Sequence, residues 1–140
     1  MHDVIIRGAV ADDAPALARL AGELGYPSTA EEIRARFVAL GSEHAVFVAT
    51  EDDAVIGWIH MSAVLSVVSD PRAQIRALVV AETHRGGGIG ARLVAAGESW
   101  ARARGLGEIH VYTNVTRERT HRFYERLGFV LKKNSRIYVK

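Results

Sequence analysis

Arg85-Gly-Gly-Gly-Ile-Gly90 is the stretch whose residue types do chemistry most directly. Glycine at Gly86, Gly87, Gly88 and Gly90 leaves the backbone without side-chain cover, so successive amide N–H groups can turn toward one concave point. An apolar run, Ala77-Leu-Val-Val80, comes before the turn, and a helical pattern from Ala91 to Arg104 follows it. A turn in that place binds an anion, most often a phosphate, with the positive end of the helix dipole behind it. Arg85 adds a full charge beside the cradle. As a merely flexible connection, each glycine would cost about 0.5 to 1 kcal/mol in ordering with nothing to offset it. A P-loop needs Lys-Ser or Lys-Thr after its last glycine, where Ala91-Arg92 stands. The dinucleotide pattern Gly-x-Gly-x-x-Ala is met literally by Gly86, Gly88 and Ala91. Its ribose-binding acid, however, belongs at the end of the next strand, and Glu108 stands at the start.

The elements that must position this turn follow from periodicity and punctuation. Val4-Ile-Ile6 reads as a first strand. Asp12 or Asp13 then caps a helix with Pro15 in its first turn, apolar positions Leu17, Leu20, Ala21 and Leu24, and a stop at Gly25. Ser28 and Thr29, followed by Glu31 and Glu32, form a double capping-box pattern opening a second helix through Ile33, Phe37 and Leu40, ended by Gly41. Ala45 to Thr50 and Ala54 to about Leu65 form a hairpin around Glu51-Asp-Asp53, and Ala73 to Val80 is a fourth strand. Ile89, Leu93, Ala96, Trp100 and Ala103 predict one apolar stripe on the helix after the turn, which Gly105 and Gly107 terminate. Ile109, Val111 and Thr113 alternate as a fifth strand, parallel to the fourth if the helix crosses over in the usual sense. Arg117 to Leu127 is a last helix closed by Gly128, and Phe129 to Leu131 and Arg136 to Val139 are short terminal strands. The sum is one α/β (α+β) domain over 1–140. It has a mixed, mostly antiparallel sheet of six to seven strands, a central parallel pair and about four helices.

With 140 residues, 49% of them hydrophobic, the chain supports one core and not two. No apolar run approaches a membrane span, and Met1-His-Asp-Val lacks a signal peptide's basic start, so a cytoplasmic protein without membrane contact is expected. The absence of cysteine excludes disulfides, thiolate metal sites and cysteine nucleophiles. The net charge of +2 conceals an asymmetry: residues 1–70 carry four Lys/Arg and eleven Asp/Glu, and residues 71–140 carry fourteen and five. A basic half that contains the glycine turn suits a polyanionic ligand, and an acidic half suits a cationic one. Few aromatics interleave with the basic residues, so nucleic acid is not the expected partner.

Two blocks carry a family resemblance. Leu78-Val-Val80 with Arg85-Gly-Gly-Gly88-Ile-Gly90 resembles the acetyl-CoA signature of the GNAT superfamily of N-acetyltransferases, Arg/Gln-x-x-Gly-x-Gly/Ala. Thr120-His-Arg-Phe-Tyr124-Glu-Arg-Leu-Gly-Phe129 is similar to the family's second block, and Ile6 to Leu17 is similar to its first strand and helix. The resemblance implies acetyl-CoA as co-substrate. Arg85, Gly86, Gly87, Gly88, Ile89, Gly90 and Ala91 would hold the pyrophosphate, Leu78, Val79 and Val80 would pair with the pantetheine arm, and Asn114 would reach the arm or the adenosine phosphates. It also implies Tyr124 as general acid for the departing thiolate. The family often has Asn seven residues before that tyrosine, where this chain has Arg117. Many relatives carry a carboxylate on the fourth strand, where Gln74-Ile-Arg76-Ala77 stands.

Acetyl transfer to an amine needs a neutral nitrogen, and a lysine-like amine is neutral in only about one molecule in 2,500 at pH 7, a cost of about 4.6 kcal/mol. A base or water relay is therefore expected, with Glu82, His60, His84 and His110 as candidates by chemistry. Nothing at metal-ligand spacing links the six histidines, so no catalytic metal is expected. Thr113, Ser62 and Ser66 lack a triad partner. The two N-terminal helices, with Tyr26 and Trp58, would select the acceptor, a small-molecule or peptide amine. A non-catalytic acyl-CoA sensor is the alternative, and a homodimer is the expected assembly by family resemblance.

Overall fold

The polar tip Glu51-Asp52-Asp53 turns the chain back on itself because Asp52 and Asp53 both adopt positive φ, 50° and 65°, which matches the twist of a two-residue hairpin. The computed structural model describes residues 3–140; the opening Met1-His2 of the signal-peptide argument lies outside the described residues. The hairpin's strands, β2 (His44–Glu51) and β3 (Ala54–Val64), sit within a five-stranded sheet completed by β1 (Val4–Gly8), β4 (Arg72–Val80) and β5 (Ile109–Val111), in chain order. All neighbours are antiparallel except β4 and β5, which are parallel. The helices are α1 (Ala14–Leu24), α2 (Ala30–Ala39), α3 (Ile89–Ala103) and α4 (Glu118–Arg126).

The sheet separates two apolar layers. On one face α3 lays Ile89, Leu93, Val94 and Ala101 against Ile59, Met61, Ala73 and Ile75. On the other, Leu17, Leu20 and Ala21 of α1 cover Val48, Trp58 and Val79, with Ile33 of α2 at their side. The α3 seam differs from the expected stripe: Ala103 is exposed, and Val94, Gly97 and Ala101 are buried instead. Gly97 explains the rotation, because a Cβ there would stand 2.7 Å from the Met61 sulfur. The helix packs most closely where it has no side chain.

Caps decide the helix limits. Thr29 accepts from the Glu32 N–H while the Glu32 carboxylate accepts from the Thr29 N–H, so Thr29, not Ser28, opens α2. Asp13 precedes α1 without capping it. Its carboxylate instead accepts two bonds from Arg7, at 2.8 and 2.9 Å, and one from the Val10 N–H at 2.8 Å. The Arg7 bond is the main cause that holds the Asp13 carboxyl below the usual range. A lowered folded value stabilises above the ordinary carboxylate range and is lost as pH falls through the folded one. Asp13→Asn should therefore cost about 1 to 2 kcal/mol at pH 7, with the gap to wild type in thermal melts closing as pH falls below the ordinary carboxylate range.

Two sequence expectations at the C-terminal half are corrected. The fifth strand stops at Val111 rather than running through Thr113. Phe129–Leu131 and Arg136–Val139 form no strands, so the sheet has five strands and not six or seven. Phe129 turns back to pack on Tyr124, and β5 pairs with β4 over only three positions, a short edge on which to add strands. Beyond it Val130, Leu131, Ile137, Tyr138 and Val139 remain exposed. A run of β formers makes a strand only where a partner edge is available.

Candidate functional site

The glycine turn takes a backbone path that only glycine follows without strain. Gly86 and Gly88 adopt φ of 85° and 84°, and Gly88 is the N-cap of α3 with no side chain to close it. The first amide of the helix to find a carbonyl is Arg92 N–H, on Gly88 at 3.1 Å. From Gly86 to Ala91 the backbone amides have no hydrogen-bond acceptor among the described residues. A Cβ at Gly86 or Gly88 would meet nothing within 4 Å, so no described side chain covers these two glycines on that side. Arg85 is turned elsewhere: its Nε donates to the Val80 carbonyl at 3.1 Å and its head lies 3.9 Å from Glu23.

The strand before the turn has an open edge. Parallel pairing of β4 with β5 ends at Ile75 with Val111, and β4 continues alone to Val80. The break coincides with a bulge: His60 pairs with Ala77 and Met61 with Ile75, leaving Arg76 as the extra residue. On the last turn of β4, Ala81 N–H donates to Ile56, and the Val79 carbonyl lies against Gly57, 3.0 Å from where a Cβ would be. Strand alternation then points Val79 toward β3 and the backbone groups of Leu78 and Val80 toward the open edge. Of the three residues, Leu78 turns both its N–H and its carbonyl to this edge and Val80 its N–H, the Val80 carbonyl being held by Arg85.

Helix α4 closes the other side of the turn. A Cβ on Gly90 would lie 3.1 Å from the Phe123 ring, so this glycine lets Phe123 rest on the start of α3. Tyr124 beside it is 7% exposed and packs edge-on with Phe123 and Phe129. Burial pushes its hydroxyl up to about 12, partly opposed by the Arg117 charge. The hydroxyl bonds no described residue, yet it is not among the polar atoms sealed from solvent. It is a proton donor without a protein acceptor. Asn114 spends its side-chain oxygen on Thr116, accepting from both the N–H at 3.0 Å and the hydroxyl at 2.8 Å, and so shapes the turn into α4.

The base candidates separate clearly. His84 contacts Glu51 at 3.0 Å and His110 contacts Glu108 at 2.8 Å, each held by a carboxylate. Glu82 is exposed in the short turn after β4. His60 instead contacts His44 at 2.9 Å, beside Trp58 in a hollow of about 180 Å³ that Leu17, Ile33 and Arg36 help line. Tyr26 is 68% exposed and lines neither this hollow nor its neighbour. Sequence reasoning missed the histidine pair. An unbroken hairpin would set His44 opposite Met61 and turn His60 to the other face. A bulge at Ile56, where Ala49 pairs with Gly57 and Thr50 with Val55, slips the register by one and brings both rings together. Among the described residues no group of three or more His, Cys, Asp or Glu could hold a metal ion, and no helix is long and apolar enough to cross a membrane.

Known proteins share this arrangement. An aminoglycoside N-acetyltransferase solved in complex with CoA superposes with a TM-score of 0.89 at 20% identity, covering 100% of this chain and 96% of its own, which is a likeness of fold. A transcriptional regulator from Bacillus halodurans superposes at 0.81 with 25% identity over 98% and 100%. In sequence, an N-alpha-acetyltransferase of Schizosaccharomyces pombe is 35% identical over 83 residues, 59% of this chain and 55% of that protein. The chain spans about half or less of the curated relatives it matches, 55% of this one and 18% of another. The acetyltransferase (GNAT) family profile matches residues 14–129, which takes in both helical layers, the glycine turn and the Tyr124 helix. With the profile spanning most of the chain and the superposed folds agreeing over its full length, this protein belongs to the GNAT family of acetyltransferases.

Proposed function

We propose that the chain is one acetyl-CoA-binding N-acetyltransferase domain that transfers the acetyl group to a primary amine of a small molecule or peptide. The amine attacks directly, and Tyr124 acts as general acid. The observation that carries this reading is the run of unbonded amides from Gly86 to Ala91, set at the end of a strand whose outer edge is open. Anion and extended amide arm are the two chemical halves of CoA, and the two features match them in order along the chain. Leu78 and Val80 would bond the arm, Val79 would support them from the β3 side, and Ile89 would fix the start of α3 by its burial. Tyr124, protonated throughout the neutral range, would supply the proton that the departing thiolate needs.

A second reading, a non-catalytic acyl-CoA sensor, is favoured by Arg76, which stands at the strand position where a carboxylate base would serve catalysis. The exposed apolar residues Val130, Leu131, Ile137 and Val139 support the homodimer, since self-association would cover them. The deciding experiment is thermal unfolding with acetyl-CoA and with NAD. Acetyl-CoA at about 100 times its Kd should add about 2.7 kcal/mol, or about 10 °C for a chain of this size. A rise with NAD alone would sink the reading, and mass spectrometry of an amine panel after incubation separates enzyme from sensor.

A further inference from the structure

One pair of side chains deepens the acetyl-transfer reading and rests on it. His44 Nδ1 and His60 Nε2 lie 2.9 Å apart, with ring centroids at 5.1 Å. Two imidazole nitrogens at hydrogen-bond distance have one proton between them, so one ring donates and the other accepts. Each ring keeps its second nitrogen, Nδ1 of His60 and Nε2 of His44, without a bond among the described residues. The two rings also line different spaces. His60 lines the Trp58 hollow, and His44 lines a wider one of about 470 Å³ between the end of α2 and β2.

The position of His60 matters as much as its contact. It is the register partner of Ala77, the first residue of β4 beyond the bulge, where β5 has already departed. His60 therefore stands one strand spacing, about 4.8 Å, from the strand whose open edge would hold the acyl arm. The groups around it are His44 from β2, Arg76 from β4 and Arg36 from α2, while α1 presents apolar Leu17. Burial first, then the charges of His44 and Arg76, bring His60 down to about 4, so it is neutral at pH 7 and has a lone pair to offer. A base that weak cannot store a proton. It can pass one on.

We propose that His60 and His44 form a proton relay from the acceptor amine in the Trp58 hollow to solvent. The bound ammonium gives its proton to His60 Nδ1, the Nε2 proton of His60 moves to His44 Nδ1, and His44 Nε2 releases a proton to water. The freed nitrogen lone pair forms the C–N bond to the acetyl carbonyl carbon as the C–S bond breaks. The thiolate takes the Tyr124 proton, and Tyr124 regains one from the acylated nitrogen through water. Between turnovers His44 Nδ1 returns its proton to His60 Nε2 while water takes the proton on His60 Nδ1 and supplies one to His44 Nε2, so the net release is one proton per amide formed.

The test compares ethylamine with trifluoroethylamine, near-equal in size, the second already neutral at pH 7, in wild type, His60→Gln and His44→Gln. His60→Gln should lower kcat for ethylamine about 100-fold but by less than about threefold for the fluorinated amine, with KM for acetyl-CoA unchanged. His44→Gln should show the same dependence on amine basicity at about tenfold. Thermal stabilisation by acetyl-CoA checks that each variant is folded, and the two variants are independent routes to the same result. Equal losses on both amines, or no loss, would mean that the rings only join two strands, and the relay is overturned while acetyl transfer stands. If wild type acetylates neither these amines nor any member of the amine panel although acetyl-CoA stabilises it, the acetyl-transfer reading itself falls and takes the relay with it.

Discussion

Gly88→Ala is expected to weaken CoA binding at least about tenfold while costing about 1 to 2 kcal/mol of stability. The two effects have different origins. Gly88 holds φ at 84°, so any side chain there is strained, and that cost appears in the free protein. Relief of the strain rotates the peptide planes on either side, and those planes carry unbonded amides at the start of α3. A Cβ at this position meets no protein atom within 4 Å, so the cost comes from the backbone angle and not from a clash. Titration of CoA into wild type and variant measures the first effect, and thermal melts measure the second. Acetylpantetheine, which has the arm but no pyrophosphate, separates lost phosphate binding from general damage, because its kcat/KM should be the same for both proteins. Gly22→Ala on the exposed face of α1, also with free space around its Cβ, should leave CoA affinity unchanged. Undiminished CoA affinity in Gly88→Ala would remove the turn from the site.

That turn was legible in the sequence because glycine at positive φ is a local requirement, visible without the rest of the fold. The same holds for Thr29 with Glu32, whose capping box needs only neighbours in sequence. What escaped was set by register. The bulge at Ile56 decides that His44 and His60 share a face, and the bulge at Arg76 decides where β4 parts from β5. An extra residue in a strand carries no compositional mark when no Gly, Pro or Asn stands at it, as in Val55-Ile56 and Ile75-Arg76-Ala77. The α3 seam was misread by one position for a related reason. Periodicity finds apolar residues, but Gly97 is at the closest contact because it is small, and Met61 fills the space it leaves. The tail beyond Phe129 shows the converse: its two short apolar runs suit strands, and β5 gives them too short an edge to pair with.

Tyr124→Phe is expected to lower kcat by at least about tenfold while leaving acetyl-CoA affinity unchanged and stability unchanged or higher by up to about 1 kcal/mol. The stability half is the sharper statement. A tyrosine buried among Phe123, Phe129 and the core contributes its ring to packing, and Phe keeps that ring. Its hydroxyl finds no described residue to bond, so removing it breaks no protein hydrogen bond and relieves part of a desolvation cost. A tyrosine kept only to satisfy a buried bond would behave oppositely, losing stability with turnover intact. The pH dependence separates them further. With burial holding the hydroxyl at about 12, Tyr124 stays protonated, and wild-type kcat should show no alkaline fall from this group below about pH 11. Arg117 works against the burial, so Arg117→Gln should move that limit upward, away from the working range. Steady-state kinetics across pH, with melts of the same preparations, reads both halves: turnover unaltered in Tyr124→Phe removes the general-acid assignment, and a large loss of stability assigns the residue to the core instead.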